Sequence, residues 1–350
     1  MATLRIDLYS DTQTRPTEAM REAMARAPVG DEQRFEDPSV KALVTRIAEL
    51  LGKEDAVFLP SGTMCNQIAA VVHCEAGDEI IADRTAHILN SEAGGQAVLA
   101  RATARMLDGV RGVYSAEQLE AVIRPPSRYA PRSRMVTVEQ TANLGGGTVW
   151  PLETMQSVAE VAKRHGLILH MDGARLLNAV VASGVAARTY CEPFDSVWLD
   201  FSKGLGCPVG AILAGPKPFI EAAWRWKQRI GGAMRQSGVL AAAALHALDH
   251  HVDRLAEDHA NAKLLAERLA QVPGLAVAPE TVDTNIVLID VSGTGRTAHE
   301  VHAALMERGV RIGALDDVRL RALTHLDVSR AEVAEAADIF AGFVTSAAAA

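Results

Sequence analysis

Cysteine is scarce in this chain of 350 residues, and no two cysteines have the CxxC spacing of a zinc or redox motif. The four are Cys65, Cys74, Cys191 and Cys207. The first residues, MATLRIDLYSDTQTRP, contain no apolar segment of the kind found in signal peptides. We therefore expect a cytoplasmic protein with reduced thiols in its core, and we predict no bound metal.

Long apolar runs and excess positive charge are also lacking. The most apolar stretch, Gly238 to Leu248, is short and mostly alanine, so we do not expect a membrane span. The 35 basic and 43 acidic side chains leave a net charge of −8, which argues against nucleic acid or an anionic membrane as a partner. Charged residues make up 22% and apolar residues 49% of the chain, which is typical of globular proteins.

Short apolar runs alternate with helical patterns through the first 250 residues. Predicted strands lie at 56–59, 79–82, 135–139, 167–170 and 196–201. Predicted helices lie at 40–51, which Gly52 ends, at 64–73, and from Pro151 to the helix-ending Gly166. This alternation predicts an α/β fold with a mainly parallel sheet that is covered by helices on both faces.

The pattern changes after about residue 250. A long polar helix is predicted from Asp249 to Gln271, and further elements are predicted at 284–290, 298–308, 319–326 and 330–344. We predict a large domain over residues 1–250 and a smaller α+β domain over 251–350 that closes onto it.

An acid and a lysine stand about thirty positions apart, each at the end of a predicted strand. Asp172 lies in LILHMDGARL and Lys203 in SVWLDFSKGLG. Ligands of open α/β sheets bind at the carboxyl ends of the strands. A lysine that forms a Schiff base and an acid that pairs with the pyridinium nitrogen indicate pyridoxal 5′-phosphate. The alternatives are a surface lysine in a glycine-rich loop and an aspartate that caps the next helix.

Four further features lie near predicted strand ends. Ser61-Gly62-Thr63 would hold a phosphate at a helix N-terminus, or simply cap that helix. Arg175 would reach a cofactor oxygen or a substrate carboxylate, or lie on a helix face. His87 would stack on the cofactor ring or move protons, or be structural. Arg321 would bind an α-carboxylate bidentately, or face water at a strand edge.

Eight segments of the chain resemble, in order, the threonine aldolase group of fold type I (aspartate aminotransferase-like) pyridoxal phosphate enzymes. They are DLYSDTQTRPT (7–17), VGDEQRFEDPSV (29–40), LLGKEDAVFLPSGTMCNQ (50–67), HILNSEAGG (87–95), GLILHMDGARLLNA (166–179), FDSVWLDFSKGLGCPVGAIL (194–213), GGAMRQSGVLAAA (231–243) and RALTHLDVS (321–329). The combination of SDTxTRPT, HMDGARL and SKGLG is specific, whereas no single block would suffice.

The resemblance implies roles for the residues that meet the cofactor. Lys203 forms the Schiff base, Asp172 pairs with the ring nitrogen and His87 stacks on the ring, which makes these three the catalytic set. The other implied cofactor-binding residues are Gly62, Thr63, Arg175, Ser202, Lys227 and Arg235. The first two hold the phosphate, and the last two reach the phosphate of a neighbouring subunit.

The resemblance also implies a substrate site and an assembly. Ser10, Arg175 and Arg321 hold the carboxylate of a small amino-acid substrate or lie beside it. The active site of this family forms between the subunits of a dimer, and dimers often pair. The resemblance therefore implies a homodimer or homotetramer with shared active sites.

Two departures from the family pattern concern the substrate. The family usually has Glu-Asn-Thr-His-Asn where this chain has EQTAN at 139–143. Ala142 therefore replaces a histidine near the substrate's β-hydroxyl, which removes a donor and base and opens room. Arg34 and Phe35 stand where the family often has tyrosine and glycine, in a loop that approaches the partner's active site.

The leading hypothesis is a lyase that cleaves an L-β-hydroxy-α-amino acid to glycine, or another amino acid, and an aldehyde. His87 or an ordered water is then the base, and a Cβ substituent that is larger than methyl or polar, or a substituent at Cα, is expected. One alternative keeps the fold but catalyses β-elimination, racemisation or transamination. Another is a non-enzymatic homologue that only binds the cofactor.

Overall fold

The computed structural model describes residues 3–348, in which strands and helices alternate along most of the chain. The strands are β1 (Ile6–Leu8), β2 (Asp55–Leu59), β3 (Glu79–Asp83), β4 (Thr103–Leu107), β5 (Ser133–Glu139), β6 (Ile168–Gly173), β7 (Ser196–Asp200), β8 (Ala211–Gly215), β9 (Ile286–Asp290), β10 (Val310–Ala314) and β11 (Arg319–Leu323). The helices are α1 (Glu18–Ala25), α2 (Pro38–Leu51), α3 (Gly62–His73), α4 (His87–Asn90), α5 (Gly95–Val98), α6 (Ala116–Val122), α7 (Leu152–Arg164), α8 (Leu176–Ser183), α9 (Ala187–Cys191), α10 (Lys217–Arg229), α11 (Gly238–His250), α12 (Leu255–Leu269), α13 (Ala298–Glu307) and α14 (Arg330–Ala348). No helix within this range is both long and apolar enough to cross a membrane.

Seven strands form the larger sheet, in the order β2-β8-β7-β6-β5-β3-β4. Strand β8 runs antiparallel to both of its neighbours, and the other adjacent pairs are parallel. Every residue of β3, β7 and β8 is buried, because helices cover both faces of the sheet. The predicted α/β fold with a mainly parallel sheet is confirmed.

The junction from β2 into α3 depends on a serine and a glycine. Ser61 is the N-cap of α3, and its Oγ accepts the Met64 backbone N–H at 3.2 Å. The helix begins at Gly62, two residues before its predicted start. A Cβ atom at Gly62 would lie 2.2 Å from the Trp198 ring, so only glycine allows β7 and α3 to approach this closely.

The second sheet has four strands, in the order β1-β10-β11-β9. The N-terminal strand β1 runs parallel to β10, with Ile6 opposite Val310. Ile6 and Leu8 share a hydrophobic core with residues of α12, α13 and α14. The first residues of the chain therefore complete the sheet that the C-terminal part builds, while the division of the chain at residue 250 stays a prediction.

The predicted helix from Asp249 to Gln271 is wrong as one element. Helix α11 ends at His250, and α12 starts at Leu255. The chain turns between them, where the His251 Nδ1 atom lies 2.7 Å from the buried backbone oxygen of Leu205. This tertiary contact holds the turn, although the polar pattern alone favours a continuous helix.

Candidate active site

A cavity of about 300 Å³ lies beyond the carboxyl ends of β5, β6 and β7. Six of the predicted site residues line it, and they come from both sheets and from the loop after β1. These residues are Ser10, His87, Asp172, Arg175, Lys203 and Arg321. Parallel strands that end at one edge bring such distant residues together, as expected for an open α/β sheet.

Lys203 is held at the wall of this cavity. Its Nζ atom lies 3.0 Å from the Asp200 Oδ2 atom and 5.5 Å from the centre of the Trp198 ring. Its side chain is 15% exposed, and its backbone oxygen accepts the Thr14 hydroxyl at 2.8 Å. These contacts rule out a flexible surface lysine.

Asp172 is buried and has a fixed orientation. Its Oδ2 atom accepts the Asn66 amide at 2.8 Å, and its Oδ1 atom accepts the Ala174 backbone N–H at 3.1 Å. The N-cap position of α8 belongs to Arg175, whose side chain makes no capping bond. The alternative of a helix-capping aspartate is therefore excluded.

His87 is tied to two buried carboxylates. Its Nδ1 atom lies 2.9 Å from Glu92 Oε1, and its backbone N–H donates to Glu139 Oε2 at 2.6 Å. The hydrogen bond to Glu92 raises the pKa of His87, whereas burial raises the pKa of Glu92. Burial, with the nearby Asp172 charge, raises the pKa of Glu139 to about 7.

The predicted absence of a metal remains a prediction. One ligand atom each from His87, Glu92 and Asp172 lie within 4.8 Å of one another, which is a spacing that a metal ion also uses.

Arg175 forms a buried bidentate ion pair with Asp11. Its Nε and Nη2 atoms each lie 2.7 Å from a carboxylate oxygen, and Asn285 donates to the same carboxylate at 3.1 Å. Burial raises the pKa of Asp11, but the guanidinium outweighs it and the pKa falls to about 2. Arg175 is therefore not an ordinary helix-face arginine, and most of its hydrogen-bonding capacity is used by Asp11.

Arg321 enters the cavity from β11, an inner strand of the second sheet. Its Nη1 atom donates to Asn143 Oδ1 at 2.8 Å, whereas its Nε atom is buried and has no hydrogen-bond partner. Burial, with the nearby Arg175 charge, lowers the pKa of this guanidinium. It does not face water at a strand edge, and its side chain lines the cavity, where its positive charge can bind an anion.

Four other predicted residues do not line this cavity. Gly62 and Thr63 form the first turn of α3, and Ser202 donates its hydroxyl to Asp200 at 2.8 Å. Ala142 is buried, packs close to Gly112 and lines a separate cavity of about 10 Å³. The space expected from the missing histidine is therefore not part of the larger cavity.

Lys227 and Arg235 also lie outside the cavity. The Lys227 ammonium is fully buried, pairs with Glu32 and lies 4.2 Å from the centre of the Trp224 ring. Arg235 pairs with Asp31 at 2.9 Å, and its side chain is 62% exposed. Their contact with a neighbouring subunit stays a prediction.

Sequence reasoning gave no role to four residues that support the site: Asp11, Asn66, Glu92 and Asp200. Asp11 and Glu92 lie within the segments 7–17 and 87–95, which carry the resemblance, so position in a motif was a usable signal. Asn66 and Asp200 likewise lie within the segments 50–67 and 194–213, so the same signal applied to them.

A sequence profile of the beta-eliminating lyase family matches residues 7–292. This chain belongs to that family. It is 43% identical over 344 residues to the low specificity L-threonine aldolase of Escherichia coli K12, covering 97% of this chain and 99% of that protein. It is 41% identical over 333 residues to low-specificity L-threonine aldolase 1 of Arabidopsis thaliana, covering 94% and 93% of the two chains.

The fold also matches a solved structure. The threonine aldolase of Leishmania major superposes with a TM-score of 0.82 over 97% of this chain and all of the other, at 18% identity. The resemblance to threonine aldolases and the fold type I architecture are thus confirmed, and the family makes this chain a lyase.

Proposed function

We propose that this lyase uses pyridoxal 5′-phosphate to cleave L-β-hydroxy-α-amino acids into glycine, or another amino acid, and an aldehyde. The observation that carries this proposal is one cavity shared by a lysine, a buried aspartate, a histidine and an arginine. The names of the curated relatives support the same substrate class.

The residues fit the cofactor. The cavity volume of about 300 Å³ lies within the usual range of small-molecule sites. Lys203 offers an amine, and Asp172 offers a carboxylate for the ring nitrogen. The first turn of α3 does not line the cavity, but it offers backbone N–H groups for a phosphate that extends beyond it. When bound, this cofactor withdraws electrons from the substrate's Cα, so that bonds to Cα break more easily.

Arg321 is the residue that we assign to the substrate's α-carboxylate. Its side chain lines the cavity, where a carboxylate would pair with the positive charge of its guanidinium. Arg175 is already paired with Asp11, so it supplies positive charge beside the substrate rather than the main contact. Ser10 lines the same wall and completes this side of the cavity.

His87 is the residue that we assign to the β-hydroxyl proton. Since its Nδ1 atom faces Glu92, the Nε2 atom is the ring nitrogen left for the substrate. The Glu92 carboxylate then stabilises the imidazole as it gains the proton, which is the usual role of an acid behind a catalytic histidine.

The test is release of glycine and aldehyde from L-threonine, L-allo-threonine, phenylserine, 3-hydroxyaspartate and α-methylserine. For α-methylserine the amino-acid product is alanine, so both amino acids are measured. Lys203→Ala should abolish turnover and the visible absorbance that the bound cofactor gains through the lysine. Keto acid or inverted amino acid without aldehyde would instead support β-elimination, transamination or racemisation, and activity of the Lys203→Ala protein would overturn the assignment.

We also propose a cytoplasmic homodimer or homotetramer with shared sites. The four cysteines are all buried and unpaired, which agrees with a reducing compartment. Arg235 and the 60% exposed Phe35 lie on loops away from this subunit's own cavity, where a second copy can reach them.

Subunit complementation tests the shared site. If Arg235 serves the neighbouring subunit, mixing and refolding Lys203→Ala with Arg235→Ala chains should restore about a quarter of wild-type activity, because half of the dimers are mixed and each has one intact site. Two separately inactive variants that stay inactive when mixed would contradict sharing.

A further inference from the structure

A chain of hydrogen bonds runs from Asp172 through the interior, and it consists of residues that have no role in the proposed reaction. Asn66 donates its Nδ2 to Asp172 Oδ2 at 2.8 Å. Its Oδ1 atom lies 2.7 Å from the Trp198 indole nitrogen and 3.1 Å from His170 Nε2. An indole N–H only donates, so the amide orientation of Asn66 is fixed.

The series of hydrogen bonds continues across the sheet. His170 and Ser196 are paired across β6 and β7, and His170 Nδ1 lies 2.8 Å from Ser196 Oγ. Ser196 Oγ in turn lies 2.8 Å from His73 Nε2 at the end of α3. Burial lowers the pKa of His170 and that of His73 to about 3, so both rings are neutral.

The donors in this chain all point the same way. Because Asn66 Oδ1 can only accept, His170 donates from Nε2 and accepts at Nδ1 from the Ser196 hydroxyl. Ser196 Oγ then accepts from His73 Nε2. Each bond polarises the next, and the positive end of the chain meets the Asp172 carboxylate.

We propose that Asn66, supported by His170 and Ser196, is a positioning residue that aims the carboxylate of Asp172 at the ring nitrogen of the cofactor. This inference rests on the proposed function. Asn66 and the Ala174 backbone N–H each hold one oxygen of Asp172, which leaves the carboxylate a single orientation toward the cavity. The same Asn66 amide donates to Glu92 Oε1 at 2.6 Å, so it bridges two buried acids.

The experiment compares two probes that differ only at the atom in question, pyridoxal 5′-phosphate and its 1-deaza analogue, which has a CH group in place of the ring nitrogen. The dissociation constant of each is measured for the reconstituted protein by quenching of tryptophan fluorescence. Asn66→Ala should weaken binding of pyridoxal phosphate about tenfold or more, since a hydrogen bond to a charged group is lost, and should leave the deaza analogue unchanged.

Ser196→Ala is the milder second variant, which keeps the fold if Asn66→Ala does not. It should weaken pyridoxal phosphate binding in the same selective way, about threefold, because it removes only a neutral hydrogen bond further along the chain. Asn178→Ala is the matched control, since this buried asparagine contacts His259 instead of Asp172, and it should change neither constant.

Failure of the proposed function and failure of this inference give different binding results. If the wild-type protein binds both probes equally, the assignment of Asp172 to the ring nitrogen fails, and with it the proposed function. If the wild type discriminates and both variants discriminate equally well, or lose affinity for both probes alike, Asn66 has only a structural role and this inference is overturned.

Discussion

Replacement of Asp11 by asparagine removes the charge of the buried ion pair with Arg175 but keeps its shape. The pKa of Asp11 falls from its ordinary value of 3.8 to about 2 in the folded protein. Each pH unit between these values is worth about 1.4 kcal/mol. The ionised carboxylate therefore adds about 2.5 kcal/mol to the free energy of unfolding at neutral pH. This contribution is complete above pH 3.8 and is lost as the pH falls toward 2.

Scanning calorimetry of the holoenzyme measures the effect. With an unfolding entropy of about 2.1 cal/mol/K per residue, a chain of this length should lose roughly 3 °C in melting temperature. The matched control is Asp7→Asn, because Asp7 also pairs bidentately with an arginine, Arg311, but at a partly exposed position. Its loss should stay below about 1 kcal/mol.

Two results would refute this reasoning. One is an Asp11→Asn protein that melts within about 1 °C of the wild type at pH 7, which would mean that the attraction by Arg175 does not exceed the desolvation cost. The other is a gap between wild type and variant that stays constant as the pH falls below 4, since the stabilisation must vanish there.

Substitutions at three other buried positions give further predictions. Ala142→His should lower the free energy of unfolding by about 1–3 kcal/mol through overpacking, since the cavity beside Ala142 holds only about 10 Å³. An unchanged melting temperature would show that the loop moves to make room. Burial raises the pKa of Glu139 from 4.5 to about 7, so the free energy of unfolding should decline as the pH rises between these values. Glu139→Gln should remove that decline. The prediction is contradicted if the melting temperatures of wild type and variant change in parallel over this pH range. Gly62→Ala would place a Cβ atom 2.2 Å from the Trp198 ring and should weaken both stability and cofactor affinity. Gly342→Ala is the control, because the added Cβ atom would meet no heavy atom within 4 Å, and it should weaken neither.

The sequence predicts most of the short apolar strands, but not β8, although all five of its residues are buried. Strands β6 and β7 are short buried runs that end in polar residues, so pattern alone finds them. Strand β4 was not predicted because it lies at a sheet edge and most of its residues are exposed. Strand β1 has three residues, and its partner is far along the chain, so no local pattern indicates its pairing.

The candidate site also has a part that the sequence predicts and a part that it does not. Lys203, Asp172 and His87 are found from the sequence because each follows a strand whose end is visible. The pairing of Arg175 with Asp11 was not predicted, since it requires the loop after β1 to cross onto the larger sheet. Support from Asn66 depends on a side-chain geometry that propensity and spacing do not encode.

The placement of β1 has a consequence for the order of events during synthesis. Chains leave the ribosome N-terminus first. Strand β1 therefore has no neighbouring strand until Val310, the partner of Ile6, is synthesised about 300 residues later. Since β10 is the only partner of β1 among the described strands, β1 stays an unpartnered strand throughout that interval. A nascent chain that stalls just before residue 310 therefore contains every strand of the large sheet, whereas β1 still lacks a neighbouring strand and the cavity still lacks Arg321.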